Sequence, residues 1–327
     1  MRRMLKQVAF GLATYVPGVV PLWQRALYRF QFPGAMSARY CYSVWLRHLV
    51  IAHQNGLGTQ PNVVAELGPG NSLGVGAAAL ISGSRQYVGL DIVQYASDER
   101  TLTVFDELVR LFRAKADIPG VDEFPEVKPY LDNYAFPFHI LTNERLAAAL
   151  KEDRIASLRD ALATLNAKSG PEAPFRYLVP WDDDACLETE SADMILSQAV
   201  LEHVDQLAST YRSMHRMLKP DGFLSHQIDY RAHGTASKWN GHWAYADLTW
   251  KVIRGGQTYV INRQPHSAHI SQLAASGFDV LTEKKVRNID GIPRSKLATR
   301  FAGISDDDLT CQGCFIQATK TKKAESH

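Results

Sequence analysis

The sequence predicts an α/β fold organised round a mostly parallel sheet, and three observations predict it. The run Val63-Val64-Ala65-Glu66-Leu67 climbs straight into a glycine turn, Gly68-Pro69-Gly70-Asn71-Ser72. A small-residue helical segment, Gly74 to Ile81, separates it from a second apolar run, Tyr87-Val88-Gly89-Leu90, which closes on Asp91. Further along, short apolar runs again alternate with stretches of helical periodicity, the signature of βαβ units. In such units glycines let the backbone approach a ligand closely, and an acid closing the second strand reaches ribose hydroxyls.

The 327 residues suffice for one large domain with insertions or two small ones. An apolar fraction of 46% with 21% charged residues is that of a soluble globular chain. A net charge of +2 gives no signature of a nucleic-acid partner, although the charge is unevenly spread. No acid precedes Glu66, whereas Arg2, Arg3, Lys6, Arg25, Arg29, Arg39 and Arg47 do. Four dispersed cysteines, Cys41, Cys186, Cys311 and Cys314, build no disulfide framework and fit a reducing cytoplasm. The lone Cys311-Gln312-Gly313-Cys314 reads as two ordinary thiols in a terminal strand.

Residues 1–60 form an N-terminal helical segment. Its start, Met1 to Trp23, is basic and apolar but interrupted by Gly11, Pro17 and Pro21, too short and broken to span a bilayer. It reads either as a helix packed on the main domain or as a basic surface meeting an anionic membrane or substrate. The second reading would place the protein at the cytoplasmic face of the inner membrane through a weak surface contact. Ser37 to His53 reads as a helix, from which Tyr40, Trp45 and Arg47 could cap a cofactor pocket.

The main domain comprises residues 61–96 and 175–319. Between them, 97–174 lacks strand runs and shows helical spacing at Val104, Phe105, Leu108, Leu111 and Phe112, and again from Leu146 to Leu165. A proline- and aromatic-rich stretch lies between these two runs. This is too long for a loop and reads as an insertion, either a substrate lid or a packing and dimerisation element. The sheet resumes at Phe175 to Val179, then Ser191 to Gln198. A helix follows that stops at Lys219-Pro220-Asp221-Gly222, and a strand runs from Phe223 to Ile228. Ser267 to Ser276 reads as a serine-capped helix ended by Gly277. Phe278 to Leu281 and Cys314 to Thr319 read as a closing antiparallel pair, and 320–327 as a loose polar tail.

The glycine turn does not follow the dinucleotide pattern, because Leu73 stands where the third glycine belongs and Gly74 comes one residue late. It reads Glu-x-Gly-x-Gly-x-Ser, which resembles the first motif of class I S-adenosylmethionine (SAM) methyltransferases. The block Ile195-Leu196-Ser197, Val200-Leu201-Glu202-His203-Val204, helix, Leu218-Lys219-Pro220-Asp221-Gly222 resembles the later motifs of small-molecule members, in the same order. That resemblance covers roughly Asn62 to Asp229, less the insertion. It implies a Rossmann-like methyltransferase sheet, mostly parallel with an antiparallel C-terminal hairpin, and SAM as cofactor.

The resemblance also assigns positions. Glu66, Gly68 and Gly70 with Asn71 or Ser72 would line the methionine end of SAM, and an acid there suits its positive charges. Asp91 would take the ribose hydroxyls, Trp181 and Asp182 would sit over the adenine, and Ser197 and Gln198 would face the sulfonium. Trp181 reads equally as a core residue. For a hydroxyl acceptor, a base must remove a proton in an in-line transfer, and histidine suits that at neutral pH. His203, His226 and His233 fall near the ends of the fourth and fifth strands. His233 with Asp229 is the preferred pair, His203 is either a second base or structural, and His226 reads as a core histidine. His226 with Asp229 makes no metal site without further ligands.

Methylation of a nucleobase amine is discounted, because the turn after the fourth strand reads Ser197-Gln198-Ala199-Val200. The second half is similar to methyltransferases of bacterial surface-polysaccharide synthesis, which implies a sugar or glycan hydroxyl as acceptor. Trp239, Trp243, Tyr245 and Trp250 among Asn240, His242 and Asp247 could stack on sugar faces, and Arg263 could meet a phosphate or uronate. A non-sugar metabolite such as a phenol or carboxylate stays open as acceptor. So does a SAM-binding partner subunit without catalysis.

Overall fold

The structure is a computed structural model that describes residues 2–16, 37–165, 170–181, 187–257 and 260–322. Asp182, Arg25, Arg29 and the end of the polar tail lie outside the described residues. One seven-stranded sheet organises them, in the order β3-β2-β1-β4-β5-β7-β6. The strands are β1 (Val63–Leu67), β2 (Gln86–Leu90), β3 (Phe175–Leu178), β4 (Ala192–Gln198), β5 (Leu218–Asp229), β6 (Phe278–Arg287) and β7 (Cys311–Lys320). The first five run parallel, and β7 pairs antiparallel with both β5 and β6. The expected sheet, with its antiparallel C-terminal pair, is the one observed.

Strand alternation divides the core between two faces. Val64, Tyr87, Met194 and Phe223 face one side, with α2 (Ala38–Gln54), α3 (Gly74–Ile81) and α4 (Asp98–Ala114). Ala65, Val88, Ile195 and Leu224 face the other, where α7 (Leu207–Met217) and α9 (His266–Ala275) pack. Helix α2 starts where the sequence predicts, with the Ser37 hydroxyl accepting from the Tyr40 amide. The late glycine of the turn also finds its reason. A Cβ on Gly74 would stand 2.5 Å from the Cys41 sulfur, and one on Gly76 would stand 2.3 Å from the Tyr87 ring. Small residues let α3 lie directly against α2 and β2.

The insertion shares the first of these cores. Its two last helices, α5 (Asn143–Ala149) and α6 (Glu152–Ala163), replace the single helical run expected from Leu146 to Leu165, because Lys151 adopts an extended backbone between them. Arg47 does not reach toward a cofactor. It is fully buried and donates to the carbonyls of Pro119, Val127 and Pro129 at 2.5–3.2 Å, tying the proline-rich stretch to α2. Trp45 is likewise buried and donates to the Ser82 hydroxyl. Arg154 does the same for α6, donating to the carbonyls of Leu80, Ser84 and Ala149.

Three local expectations need correction. Strand β5 begins at Leu218 rather than Phe223, so the Lys219-Pro220-Asp221-Gly222 segment belongs to the strand. Ser267 does not cap α9. Pro265 holds that position without a side-chain bond, and the Ser267 amide and hydroxyl are both taken by the Asp308 carboxylate, at 2.9 and 2.7 Å. The closing strands are longer than expected, and Lys320, assigned to the tail, ends β7. Strand β6 occupies the sheet edge and carries Glu283, Lys284, Lys285 and Arg287, charges that discourage edge pairing.

At the N-terminus, α1 (Arg2–Ala13) packs on α8 (Asp247–Arg254). A Cβ on Gly11 would strike the Val252 carbonyl, and the Gly256 amide donates to the Thr14 hydroxyl at 2.8 Å. Among the described residues no helix is long and apolar enough to cross a membrane.

Candidate active site

The parallel strands end in register along one edge: Leu67 lies beside Leu90 and Ser197, and Leu90 beside Leu178. The loops that follow β1, β2, β3 and β4 therefore meet, at the place where the chain order reverses between β1 and β4. Ligands bind at such switch points in open α/β sheets. Glu66, Gly68, Gly70, Asn71, Ser72, Asp91 and Trp181 converge here.

Gly68 and Gly70 adopt left-handed backbone, with φ of +62° and +75°. A Cβ on Gly68 would also stand 2.7 Å from a Val200 methyl, so this turn demands glycine twice over. The Gly68 amide is fixed to the Leu90 carbonyl at 2.8 Å. Glu66 is buried and accepts from the Tyr87 hydroxyl at 2.6 Å. Burial, helped by nearby Asp91, pushes its carboxyl up to about 8 against that hydrogen bond. Burial also pushes Asp91 up to about 6, although it accepts from the Ile92 amide at 2.8 Å and from Tyr177 at 3.3 Å. The Trp181 amide donates to the Asp91 carbonyl at 2.6 Å, placing the indole beside the second strand's end, packed partly against the core. Asn71 and Ser72 are buried within the turn.

Ser197 and Gln198 end β4, but their polar groups are committed inward. The Ser197 hydroxyl meets His226 Nδ1 at 2.8 Å. Gln198 meets His48 Nε2 at 3.2 Å and donates to the Lys128 carbonyl. Burial pushes His226 down to about 3 and His48 down to about 4, so both are neutral core histidines at ordinary pH.

The second group of residues gathers beyond β4 and β5. His233 Nε2 lies 3.3 Å from the Asp229 carboxylate, and the His203 and His233 rings are 5.1 Å apart. The expected pair is thus brought together, with the second histidine beside it. Sequence reasoning missed Arg231, whose guanidinium grips Asp229 at 2.6–2.9 Å and Glu126 at 2.6 Å. Burial would raise the Asp229 carboxyl, but His233 and Arg231 outweigh it and hold it well below the usual carboxylate range. Also missed was Glu202, 2% exposed, whose carboxyl burial and the Asp229 charge push well above its ordinary value. It stood in the Leu201-Glu202-His203-Val204 block beside a histidine already singled out. The short 3₁₀ turn that carries it, Leu201–His203, is pinned by Asn262, whose side chain donates to the Leu201 and Val204 carbonyls at 2.8 and 2.7 Å.

Asp229, Arg231, His233, Lys238 and Trp239 line a pocket of about 390 Å³. The other aromatics of that stretch do not reach it. Trp243 and Trp250 are buried, and Tyr245 stacks on Trp250. Arg263 cannot meet an anionic substrate as expected. It is 3% exposed, paired with Asp247 at 2.6 Å and layered between Trp250 and Phe301. The apolar character of that segment marks a core, and the arginine is its internal tie.

Comparison with known proteins bears on the same region. Residues 157–225 match the family described as a methyltransferase domain. The match includes Trp181, Ser197, Gln198 and His203, but neither the glycine turn nor Asp229 and His233. A comparison with curated proteins returned no significant match. Among solved structures, the chain is similar to an S-adenosylmethionine-dependent methyltransferase from Mesorhizobium loti, at 13% identity over 79% of this chain and 90% of that one, with a TM-score of 0.37. It is also similar to a SAM-dependent methyltransferase from Methanosarcina mazei, at 12% identity over 84% of this chain and 98% of that one, with a TM-score of 0.42. At these identities and TM-scores the likeness carries no further argument. The matched segment spans β3, β4, α7 and the first part of β5.

Proposed function

We propose that the protein is a SAM-dependent methyltransferase that O-methylates a hydroxyl of a sugar or glycan. The pocket at the end of β5 carries this reading. It joins the edge of a largely buried ring, Trp239, to the polar and charged side chains of Asp229, Arg231, His233 and Lys238. A cleft lined mostly by polar and charged groups suits a hydroxylated ligand better than a flat apolar one.

The cofactor half fits the group it would hold. Gly68 and Gly70 give the turn a left-handed backbone that brings its main chain to the strand ends, and two buried acids, Glu66 and Asp91, stand at the ends of β1 and β2. When bound, SAM supplies a methyl group made electrophilic by its sulfonium. The acceptor oxygen would attack that methyl group in line, with the thioether as leaving group, so the part left to this chain is to align the hydroxyl and take its proton. His233, oriented by Asp229, takes the hydroxyl proton, with His203 as the second candidate. The insertion serves this site as a lid through its 125–130 stretch, which reaches Arg231 through Glu126 and Gln198 through the Lys128 carbonyl. Helix α1 turns Leu5 and Leu12 outward beside Lys6, which supports a weak contact with the cytoplasmic face of the inner membrane.

A titration with SAM, with NAD as the competing ligand, tests the cofactor. Tight NAD binding without SAM binding would overturn the reading. Labelled SAM incubated with fractionated glycans or lipid-linked sugars from the source cell tests the acceptor. Label is expected on a glycan fraction; label only on a low-mass phenol or carboxylate would transfer the acceptor to the non-sugar class. SAM binding with no acceptor labelled at all would favour a partner subunit.

A further inference from the structure

Glu202 is the anomaly of the pocket. It is 2% exposed, and neither carboxylate oxygen has a well-aligned hydrogen-bond partner among the described residues, only the backbone amides of Glu202 and Asp229 bearing on it. Buried polar groups are paired with few exceptions, and buried charges are paired or coordinate metals. Ligand-capable atoms of Glu202, His203 and His233 lie within 4.8 Å of one another. We infer that this corner binds a divalent transition cation through Glu202, His203 and His233.

Two of the donors come from one turn, which Asn262 fixes through both its side chain and its amide, the latter donating to the Glu202 carbonyl at 2.6 Å. The third comes from the loop after β5, where His233 holds a left-handed backbone with φ of +44°. For a non-glycine residue that conformation is uncommon and concentrates at functional sites. Asp229 contacts the His233 ring from outside the triad, as outer carboxylates orient metal-bound imidazoles. The nearby positive charge of Arg231 is offset, since Asp229 and Glu126 both bind it. Two imidazoles and one carboxylate suit zinc or a related transition ion and leave coordination positions open, whereas magnesium and calcium prefer oxygen donors. The sequence reading weighed His226 with Asp229 and did not join His203 to His233. As Asp229 and His233 also line the acceptor pocket, an open position would face a substrate hydroxyl, and His233 would then act as ligand instead of base. That consequence rests on the proposed methyl transfer; the binding itself does not.

Calorimetric titration of the chelator-treated full chain with zinc chloride is the test, with cobalt chloride and its visible absorption as a second probe. We expect one equivalent of zinc per chain and a zinc-dependent rise in melting temperature. Glu202→Gln and His233→Asn should each weaken zinc by more than about 100-fold, beyond the loss of an outer-shell partner. Asparagine tolerates the left-handed backbone at 233, so that variant keeps its fold if the buried one does not. Zinc bound equally well by the wild type and both variants, or not at all, would overturn the inference. SAM titration of the same chelated samples reads the other proposal separately: SAM binding lost while zinc binding persists would sink the methyltransferase reading and leave the cation site standing.

Discussion

Glu66 and Asp91 end neighbouring strands, and burial raises both carboxyls, to about 8 and about 6. In the free protein around pH 7, Glu66 is therefore mostly protonated. The ammonium and sulfonium charges of SAM favour the ionised form, so binding should expel protons, and affinity should rise with pH between about 6 and 8. Calorimetry in buffers of different ionisation enthalpy should show proton release at pH 7 that Glu66→Gln removes. A pH-independent affinity would argue against a cation in this turn. Gly68→Ala makes the complementary prediction. A left-handed alanine costs about 1–2 kcal/mol, and its Cβ would press on Val200. We expect SAM to bind at least ~10-fold more weakly, measured by the same titration, with a modest loss in melting temperature.

At the scale of elements, single side chains hold whole segments. The Asn262 side chain makes two hydrogen bonds to the turn that carries Glu202 and His203, beside a third from its backbone amide that alanine would keep. Asn262→Ala should lower turnover by ~10-fold or more while SAM affinity stays within about twofold, a split that initial-rate kinetics and titration resolve together. Arg47 plays the equivalent part for the insertion. Arg47→Met strips the donor from three buried carbonyls, each worth about 1.5–3 kcal/mol, partly offset by the removal of a buried charge. We expect a net loss of about 3 kcal/mol in denaturant unfolding and faster proteolysis between residues 115 and 140. These elements also mark what the sequence could and could not disclose. The β1 turn, β2 and the Leu201-Glu202-His203-Val204 block were legible because their signals are local: an unbroken apolar run, glycines, an acid at a strand end. The break between α5 and α6 has no glycine or proline to announce it. Ser267 looked like a helix cap because its competitor, Asp308, arrives from a distant segment. The tryptophans looked like a sugar platform because composition does not distinguish a buried aromatic layer from an exposed one.

For the whole molecule, the sheet separates two working halves. The glycine turn proposed to hold SAM leans on the face that α2, α3 and the insertion share, and the pocket proposed for the acceptor lies beyond β5, toward the opposite core. Helices α5 and α6 are bolted to α3 through Arg145 and Arg154, so they belong to the scaffold. The 125–130 stretch differs: Arg47 holds its Val127 and Pro129 carbonyls from α2, and its outer side meets the pocket through the exposed Glu126–Arg231 pair and one bond from Gln198. Exposed ion pairs contribute little, about 0–1 kcal/mol, so this contact can open and reform without loss of fold. Hydrogen exchange should then separate the two parts. With SAM and acceptor bound, amides of 125–130 and 231–239 should slow, whereas those of α5 and α6 should exchange as in the free protein. Glu126→Ala should weaken acceptor binding several-fold without changing SAM affinity, because it releases the stretch from Arg231 and leaves the glycine turn untouched. Slowed exchange across α5 and α6 instead would mean that the insertion moves as one body, and the division between scaffold and lid would have to be redrawn.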